Sequence, residues 1–270
     1  MKPYRAAAIQ MTSLPDLDKN LARAERLIER AVDESAQLVG LPENFSFLRK
    51  GSQPLREAEA IARASEGFLK RMAKRFGVTL LGGGYPVPAE RGKVYNTALL
   101  IDDSGQEVAR YRKIHLFDVD LPDGNTFRES ETVRAGLRPC PVFSSPRLGK
   151  LGLSVCYDVR FPELYRHLSS QGAEVLFVPA AFTACTGKDH WEVLLRARAI
   201  ENACYLIAPA QTGQHGGSRR SHGHAMIVDP WGLVLADAGK APGVAVAEID
   251  PARLQEVRRR LPCLHHRVLS

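Results

Sequence analysis

Three residues whose types suit nucleophilic chemistry each fall at the end of a segment that reads as a β-strand: Glu43, Lys113 and Cys156. Proteins with alternating strands and helices gather their ligand-binding groups at such strand ends. In LGLSVCYDVRFPELYR, Cys156 stands between an apolar strand and a helix that begins near Pro162. A thiol in that strand–turn–helix setting projects from the sheet edge, and nearby backbone N–H groups can hold an oxyanion. Glu43 follows Gly-Leu-Pro; a carboxylate fixed beside a proline among apolar neighbours can have a raised pKa and take a thiol proton. Lys113, in YRKIHLFDVD, ends a strand and precedes apolar residues. A partly buried ammonium there can lower a thiol pKa from ~8.5 and hold a tetrahedral oxyanion. Taken singly, each residue has a plain alternative: a small buried hydrophobe, a loop carboxylate, a surface lysine with a buried stem. Cys140, Cys185 and Cys204 are read as buried hydrophobes of that kind.

The elements that would position these groups alternate. RAAAIQM reads as a buried strand, and Leu21, Ala24, Leu27, Ile28 and Ala31 recur at helical spacing. QLVGLPE is a short strand ending at Glu43, and the segment 57–76 is a second helix with Ile61, Ala64, Phe68, Met72 and Phe76 on one face. VTLLGGGYP is a strand running into glycines. VYNTALLID and EVARYRKIH flank the Asp103-Ser104-Gly105 turn as a hairpin. After LGLSV come a helix closed by Gly172, the all-apolar strand EVLFVPAA, the helix HWEVLLRARAIENA and the strand CYLIAPAQ. A hairpin turning at Pro230–Gly232, the strand VAVAEID and a helix from Pro251 complete the order. This is an α/β fold with helices outside sheets and hairpins added to a parallel core; pattern alone does not separate one sheet from two stacked sheets. The segments follow one another without linker, repeat or low-complexity block, so residues 1–270 are expected to form a single domain.

Composition narrows the function classes. With 270 residues, 44% hydrophobic and 25% charged, the chain can bury a large core. Its formal charge of +7 comes from basic residues spread along the whole length, and 7% aromatic content gives no interleaved stacking platform, so nucleic acid is not expected as a partner. Five cysteines without CxxC spacing suggest neither a disulfide framework nor a zinc ribbon. Cys263, His265 and His266 read as tail residues rather than metal ligands. MKPYRAAAIQMTS has no sustained apolar run and no segment approaches the ~20 apolar residues of a spanning helix, so a soluble, cytoplasmic protein without membrane contact is expected.

Together the three residues and their contexts resemble the nitrilase superfamily of carbon–nitrogen hydrolases. LPENF carries the Glu, YRKIHLFD the Lys and CYDVRFPELYR the Cys, followed by the family-like HWEVLLRARAIEN and GHAMIVDPWG. The resemblance covers nearly the whole chain. It implies a four-layer αββα sandwich, no cofactor and no metal, and a homodimer formed across the helices after the nucleophile. It also implies Glu129, in TFRES, as a second carboxylate supporting the lysine. Within the superfamily the chain looks most like the branch that hydrolyses deaminated glutathione, with ω-amidase, acting on α-ketoglutaramate, as the nearest sister. The implied chemistry is attack of Cys156 on an amide carbonyl, Glu43 as base, and Lys113 with the Tyr157 N–H on the oxyanion. A 2-oxo acid substrate needs a cation; Arg160, four residues after the nucleophile, is the candidate, with an ion pair to Asp158 or Glu163 as its alternative. Phe182 and Thr186 would line the same pocket. The loop 213–220, with His215, Arg219 and Arg220, reads either as a surface loop or as a contact for a longer substrate.

Overall fold

The computed structural model describes residues 2–51, 55–138, 142–217 and 219–268; Cys140 lies outside them. The chain begins β1 (Tyr4–Met11), α1 (Leu17–Asp33), β2 (Ala36–Gly40), α2 (Ala58–Phe76), β3 (Thr79–Pro88), β4 (Val94–Ile101) and β5 (Glu107–Arg112). A small ribbon, β6 (Asp118–Asp120) and β7 (Thr126–Arg128), precedes β8 (Phe143–Ser145) and β9 (Gly149–Leu153). A tight turn of 3₁₀ type, Cys156–Arg160, leads into α3 (Pro162–Ser170), β10 (Val175–Phe177) and α4 (Ala184–Asn202). The rest is β11 (Tyr205–Ala208), β12 (Ala210–Gln214), β13 (Arg220–His222), β14 (Met226–Val228), β15 (Val234–Asp237), β16 (Gly243–Ile249) and α5 (Pro251–Arg260).

Two sheets stack. The first runs β13-β12-β1-β2-β3-β4-β5, with β16 antiparallel to most of β1; the second runs β15-β14-β11-β10-β9-β8. The side-chain period of two explains why the first sheet is apolar on both faces. Ala6, Ala8, Leu38, Leu81, Ala98 and Leu100 join the core shared with the second sheet. Their neighbours Ala7, Ile9, Val39, Leu80, Leu99 and Ile101 join the separate core under α1 and α2. On the far side, Leu164, Leu168, Trp191, Leu195 and Ala199 of α3 and α4 cover the second sheet. The layers are therefore helix, sheet, sheet, helix, the αββα sandwich implied by the resemblance. Among the described residues no helix is long and apolar enough to cross a membrane.

Two expectations change. CYLIAPAQ is not one strand. Pro209, which lacks a ladder donor, separates β11 in the second sheet from β12 in the first, so the chain steps between sheets there. The helix expected from residue 190 begins at Ala184, where the Thr183 hydroxyl accepts from the Thr186 N–H as its N-cap.

Candidate active site

Glu43, Lys113 and Cys156 converge. Glu43 lies three residues beyond β2, in a turn whose Asn44 N–H donates to Gly84 O at 2.7 Å. The glycines after Leu81 explain how a carboxylate fits there. A side chain at Gly83 would stand 1.9 Å from Leu41 O, and one at Gly84 would stand 2.6 Å from Asn96 Oδ1 and 3.3 Å from Glu43 Cγ. Gly84 also takes φ +136°, and the ladder of β3 with β4 is interrupted between Gly82 and Tyr85, a bulge beside the site. Glu43 Oε1 accepts from Asn96 Nδ2 at 2.8 Å and from Lys113 Nζ at 3.2 Å; Oε2 accepts from the Ala181 N–H at 2.9 Å. The Cys156 thiol stands beside the same carboxylate and favours its charged form.

Lys113 follows β5 directly and its side chain is buried. Its ammonium also donates to Glu129 Oε2 at 2.8 Å, and Glu129 is itself fixed by the Phe117 N–H at 2.7 Å. Glu129 thus lies against Lys113 as its second carboxylate partner. Cys156 opens the turn after β9 with φ +49°, a conformation that costs a non-glycine residue on the order of 1–3 kcal/mol. Its N–H donates to Pro179 O at 2.9 Å. The turn is clamped by Asp158, a fully buried carboxylate that sequence reading gave only a possible ion pair with Arg160. Its Oδ2 accepts from the Val155 N–H at 2.8 Å and from the Tyr111 hydroxyl at 2.7 Å; its Oδ1 accepts from the His115 N–H at 3.1 Å and contacts His115 Nδ1 at 2.7 Å. Asp158 stands two residues after the cysteine and His115 two after the lysine, so one carboxylate ties the two segments together.

The electrostatics differ from expectation. Burial disfavours a charged Glu43, but Lys113, the Cys156 thiol and the Ala181 N–H outweigh it and hold the carboxyl below its ordinary range rather than above. Burial and the Glu43 charge push the Cys156 thiol well up; Lys113 opposes this without reversing it. Burial works against the Lys113 ammonium, yet Glu129 and Glu43 raise its pKa. The resting cluster is therefore a neutral thiol between a carboxylate and an ammonium.

The cluster opens into a cavity of about 460 Å³, within the ~300–1,000 Å³ usual for small-molecule sites. Phe182 and Thr186 line it, as expected, and so does Tyr157. Arg160 does not. Its guanidinium packs over the rings of Tyr157 and Phe182, 5.9 and 5.2 Å from their centroids, and lies 3.3 Å from His190 Nδ1. The candidate carboxylate-binding cation is thus a brace behind two lining aromatics, and Asp158 is engaged elsewhere. From the 213–220 loop, Gly216, Gly217 and Arg219 line the cavity, whereas Arg220 is exposed outside it. His215 is buried, its Nδ1 2.9 Å from Ser13 O and its Nε2 2.8 Å from Ser221 Oγ. Asn96, Arg49, Lys50 and Arg128 also line the cavity and were missed; in the sequence they are ordinary strand, loop and surface residues. Cys204 is buried but Cys185 is only half-buried, against its reading as a core residue. Among the described residues no group of three or more His, Cys, Asp or Glu side chains is placed to hold a metal.

Residues 5–259 match the carbon–nitrogen hydrolase family. The chain is 65% identical over 270 residues to the deaminated glutathione amidase of Synechocystis sp., covering 99% of each. It is 42% identical to that of Rattus norvegicus, covering 97% of this chain and 81% of the other. Among solved structures it resembles the Caenorhabditis elegans NitFhit protein, with 41% identity and a TM-score of 0.91, over 99% of this chain and 66% of that one. It also resembles an amidase from Nesterenkonia sp. AN1 carrying acrylamide added at its active-site cysteine. There the identity is 32% and the TM-score 0.76, over 96% of this chain and 98% of the other. The chain belongs to the carbon–nitrogen hydrolase family of the nitrilase superfamily. It is a hydrolase.

Proposed function

We propose that the protein is a cysteine-dependent amidase that hydrolyses deaminated glutathione, 2-oxoglutaramyl-Cys-Gly, to 2-oxoglutarate and Cys-Gly. The observation that carries this reading is the buried Glu43–Lys113–Cys156 cluster opening into a cavity large enough for a tripeptide-sized acid and lined by several cations. The full-length similarity to relatives named for that activity supports the substrate.

The directions of the Glu43 and Cys156 pKa shifts support the following order of steps. The thiol is neutral at rest, so Glu43 accepts its proton as sulfur attacks the amide carbonyl carbon. The C–S bond forms and the carbonyl oxygen becomes an oxyanion, stabilised by Lys113 Nζ and the Tyr157 N–H. Collapse breaks the C–N bond, and Glu43 gives its proton to the leaving nitrogen. A water then loses its proton to Glu43 and adds to the thioester; sulfur leaves and recovers the proton from Glu43. Glu129 holds Lys113 in place and protonated throughout, and Phe182 and Thr186 shape the pocket. Each step balances with side chains and water alone, without cofactor or metal.

Purified protein tested in parallel on deaminated glutathione and α-ketoglutaramate distinguishes this reading from ω-amidase. We expect kcat/KM about tenfold or more higher for deaminated glutathione, since one charge-assisted contact to its extra carboxylate contributes ~1.5–3 kcal/mol. A preference for α-ketoglutaramate would assign the chain to ω-amidase instead.

The same reading takes residues 1–270 as one cytoplasmic domain that works as a homodimer. Val193 and Ile200 of α4 are exposed beside Trp231 and Leu233 of the β14–β15 turn, and Arg196 Nε donates to Gly232 O at 2.9 Å to bind the two together. Exposed apolar side chains grouped in this way support self-association through this face. Light scattering at micromolar concentration should give twice the chain mass; a monomer would refute the dimer.

A further inference from the structure

We propose that Arg219, with Arg49 in the same cavity wall, is the seat for the carboxylate of the leaving Cys-Gly fragment; this rests on the substrate proposed above. Five cations line the cavity: Arg49, Lys50, Lys113, Arg128 and Arg219. Most are already engaged. Lys113 is bound to Glu43 and Glu129. Arg128 grips both oxygens of Asp120 at 2.8 and 2.9 Å and donates to two carbonyls. Arg49 donates to Thr132 Oγ1 and feels the charge of Glu129. Lys50 is exposed, its stem lying against Gly216. Arg219 is half-buried and makes no ion pair with an acidic side chain among the described residues. A guanidinium held in a cavity wall without a carboxylate is matched by an anion that arrives with the ligand.

The position of Arg219 is set by its loop. His215 N–H donates to Arg219 O at 3.1 Å, and Gln214 pairs with Arg220 at the end of the β12–β13 ladder. The His215 ring, bridged between Ser13 O and Ser221 Oγ, pins this hairpin to the body of the protein. His215, Arg219 and Arg220 therefore divide the work of the loop: one anchors, one faces the cavity, one faces away.

Chemistry selects which of the substrate's two carboxylates Arg219 meets. Glu43 protonates the leaving nitrogen, so the leaving fragment departs along Glu43, while the 2-oxo acid part stays on Cys156 as the thioester. The hairpin that carries Arg219 is tied to the Glu43 turn, Gln211 Nε2 donating to Glu43 O at 3.0 Å, and from the same cavity wall the charge of Arg219 favours the ionised Glu43 carboxyl. Arg219 is thus the lining cation on the leaving-group side. Two extended residues span roughly 7 Å, the reach from the scissile nitrogen to the glycine carboxylate.

The test compares the unmodified enzyme, Arg219→Gln and Arg219→Lys on three substrates: deaminated glutathione, its C-terminal carboxamide, and α-ketoglutaramate, which releases only ammonia. For the unmodified enzyme, replacing the carboxylate by the carboxamide should lower kcat/KM about tenfold or more. Arg219→Gln should bring both tripeptide-like substrates to the same low value, with a several-fold smaller loss on α-ketoglutaramate; Arg219→Lys should restore part of the acid preference. Arg220→Gln, altering an exposed residue outside the cavity, should leave all three rates in place. An unmodified enzyme that turns over acid and carboxamide equally would overturn the seat without requiring any variant to fold. So would an acid-to-carboxamide ratio that survives Arg219→Gln. An equal loss on α-ketoglutaramate would move Arg219 to the 2-oxo acid end and overturn it as well. No turnover of deaminated glutathione by the unmodified enzyme would refute the proposed substrate itself, and the seat with it.

Discussion

The turn after β9 and the residue just before β11 each present a buried thiol beside a cation, and only one of them is arranged for chemistry. Burial pushes both pKa values up, that of Cys204 to about 11. Cys204 has the Arg258 guanidinium 3.4 Å from its sulfur, as Cys156 has Lys113 nearby. The difference lies in the acceptor and the space. Cys204 donates to the carbonyls of Ala173 and Asn202, both at 3.1 Å, and lies in the packed core. Cys156 has beside it a carboxylate held below its ordinary pKa, and it faces a cavity. A neighbouring cation and a buried sulfur are common; what marks Cys156 as the proposed nucleophile is a proton acceptor held below its usual pKa with room for a carbonyl group beside it.

The strongest way to break this contrast is to exchange the roles of the two cysteines. Cys156→Ala should lower turnover by about 10⁴-fold or more, while Cys204→Ala should keep activity within about twofold and cost only about 1 kcal/mol of stability. Steady-state assays and denaturant midpoints on both variants decide it; a comparable loss in each would dissolve the distinction.

Glu43→Gln removes the acceptor and leaves the shape. The expected loss in kcat/KM is about 10³-fold. Because the Glu43 carboxyl sits below its ordinary range, the unmodified enzyme should hold its kcat/KM down through weakly acidic pH, losing it only as Glu43 finally gains a proton. A pH–rate profile with an acid limb at or above the usual carboxylate pKa would contradict that direction.

Asp158→Asn sharpens the comparison from the side of geometry, since nothing like it clamps Cys204. Replacing one oxygen by an amide removes an acceptor for the Val155 N–H, the Tyr111 hydroxyl or the His115 N–H and loosens the turn. Misplacing the sulfur should cost roughly ten- to hundredfold in kcat. Slower alkylation of Cys156 by a neutral reagent, at unchanged Tm, would separate positioning from simple loss of fold; unchanged kcat would remove Asp158 from the account.

Much of the candidate site was legible in the sequence because its three central residues sit where local signals are strong. The strand–turn–helix around Cys156, the hairpin ending at Lys113 and the Leu-Pro before Glu43 are short-range patterns, and each delivered its residue to the cluster. Arg160 was misplaced because a spacing of four from the nucleophile fixes a helical turn and not the direction of a long side chain, which here folds back over Tyr157 and Phe182. Asp158 was underread because its partners Tyr111 and His115 arrive from another hairpin. The two-sheet stacking was hidden in Pro209, where one apolar run serves two sheets, and the basic lining is assembled from four separate segments with no pattern of their own.

The smallest expected effect concerns the anchor of the 213–219 loop. Burial drives the His215 pKa down to about 4, so the folded protein keeps this ring neutral while the unfolded chain, near 6.5, takes up a proton. Unfolding therefore binds protons between those values, and stability should fall as pH drops from about 6.5 toward 4. Denaturant midpoints across that window should show the decline for the unmodified protein and a shallower one for His215→Gln; identical slopes would count against a neutral buried His215.

The most direct measurement is to catch the covalent step. Deaminated glutathione mixed with enzyme and quenched in acid during turnover should leave a 2-oxoglutaryl thioester, read by peptide mass spectrometry, on the peptide containing Cys156, absent in Cys156→Ala and undiminished in Cys204→Ala. Productive turnover with the adduct on another residue, or turnover persisting in Cys156→Ala, would contradict the account.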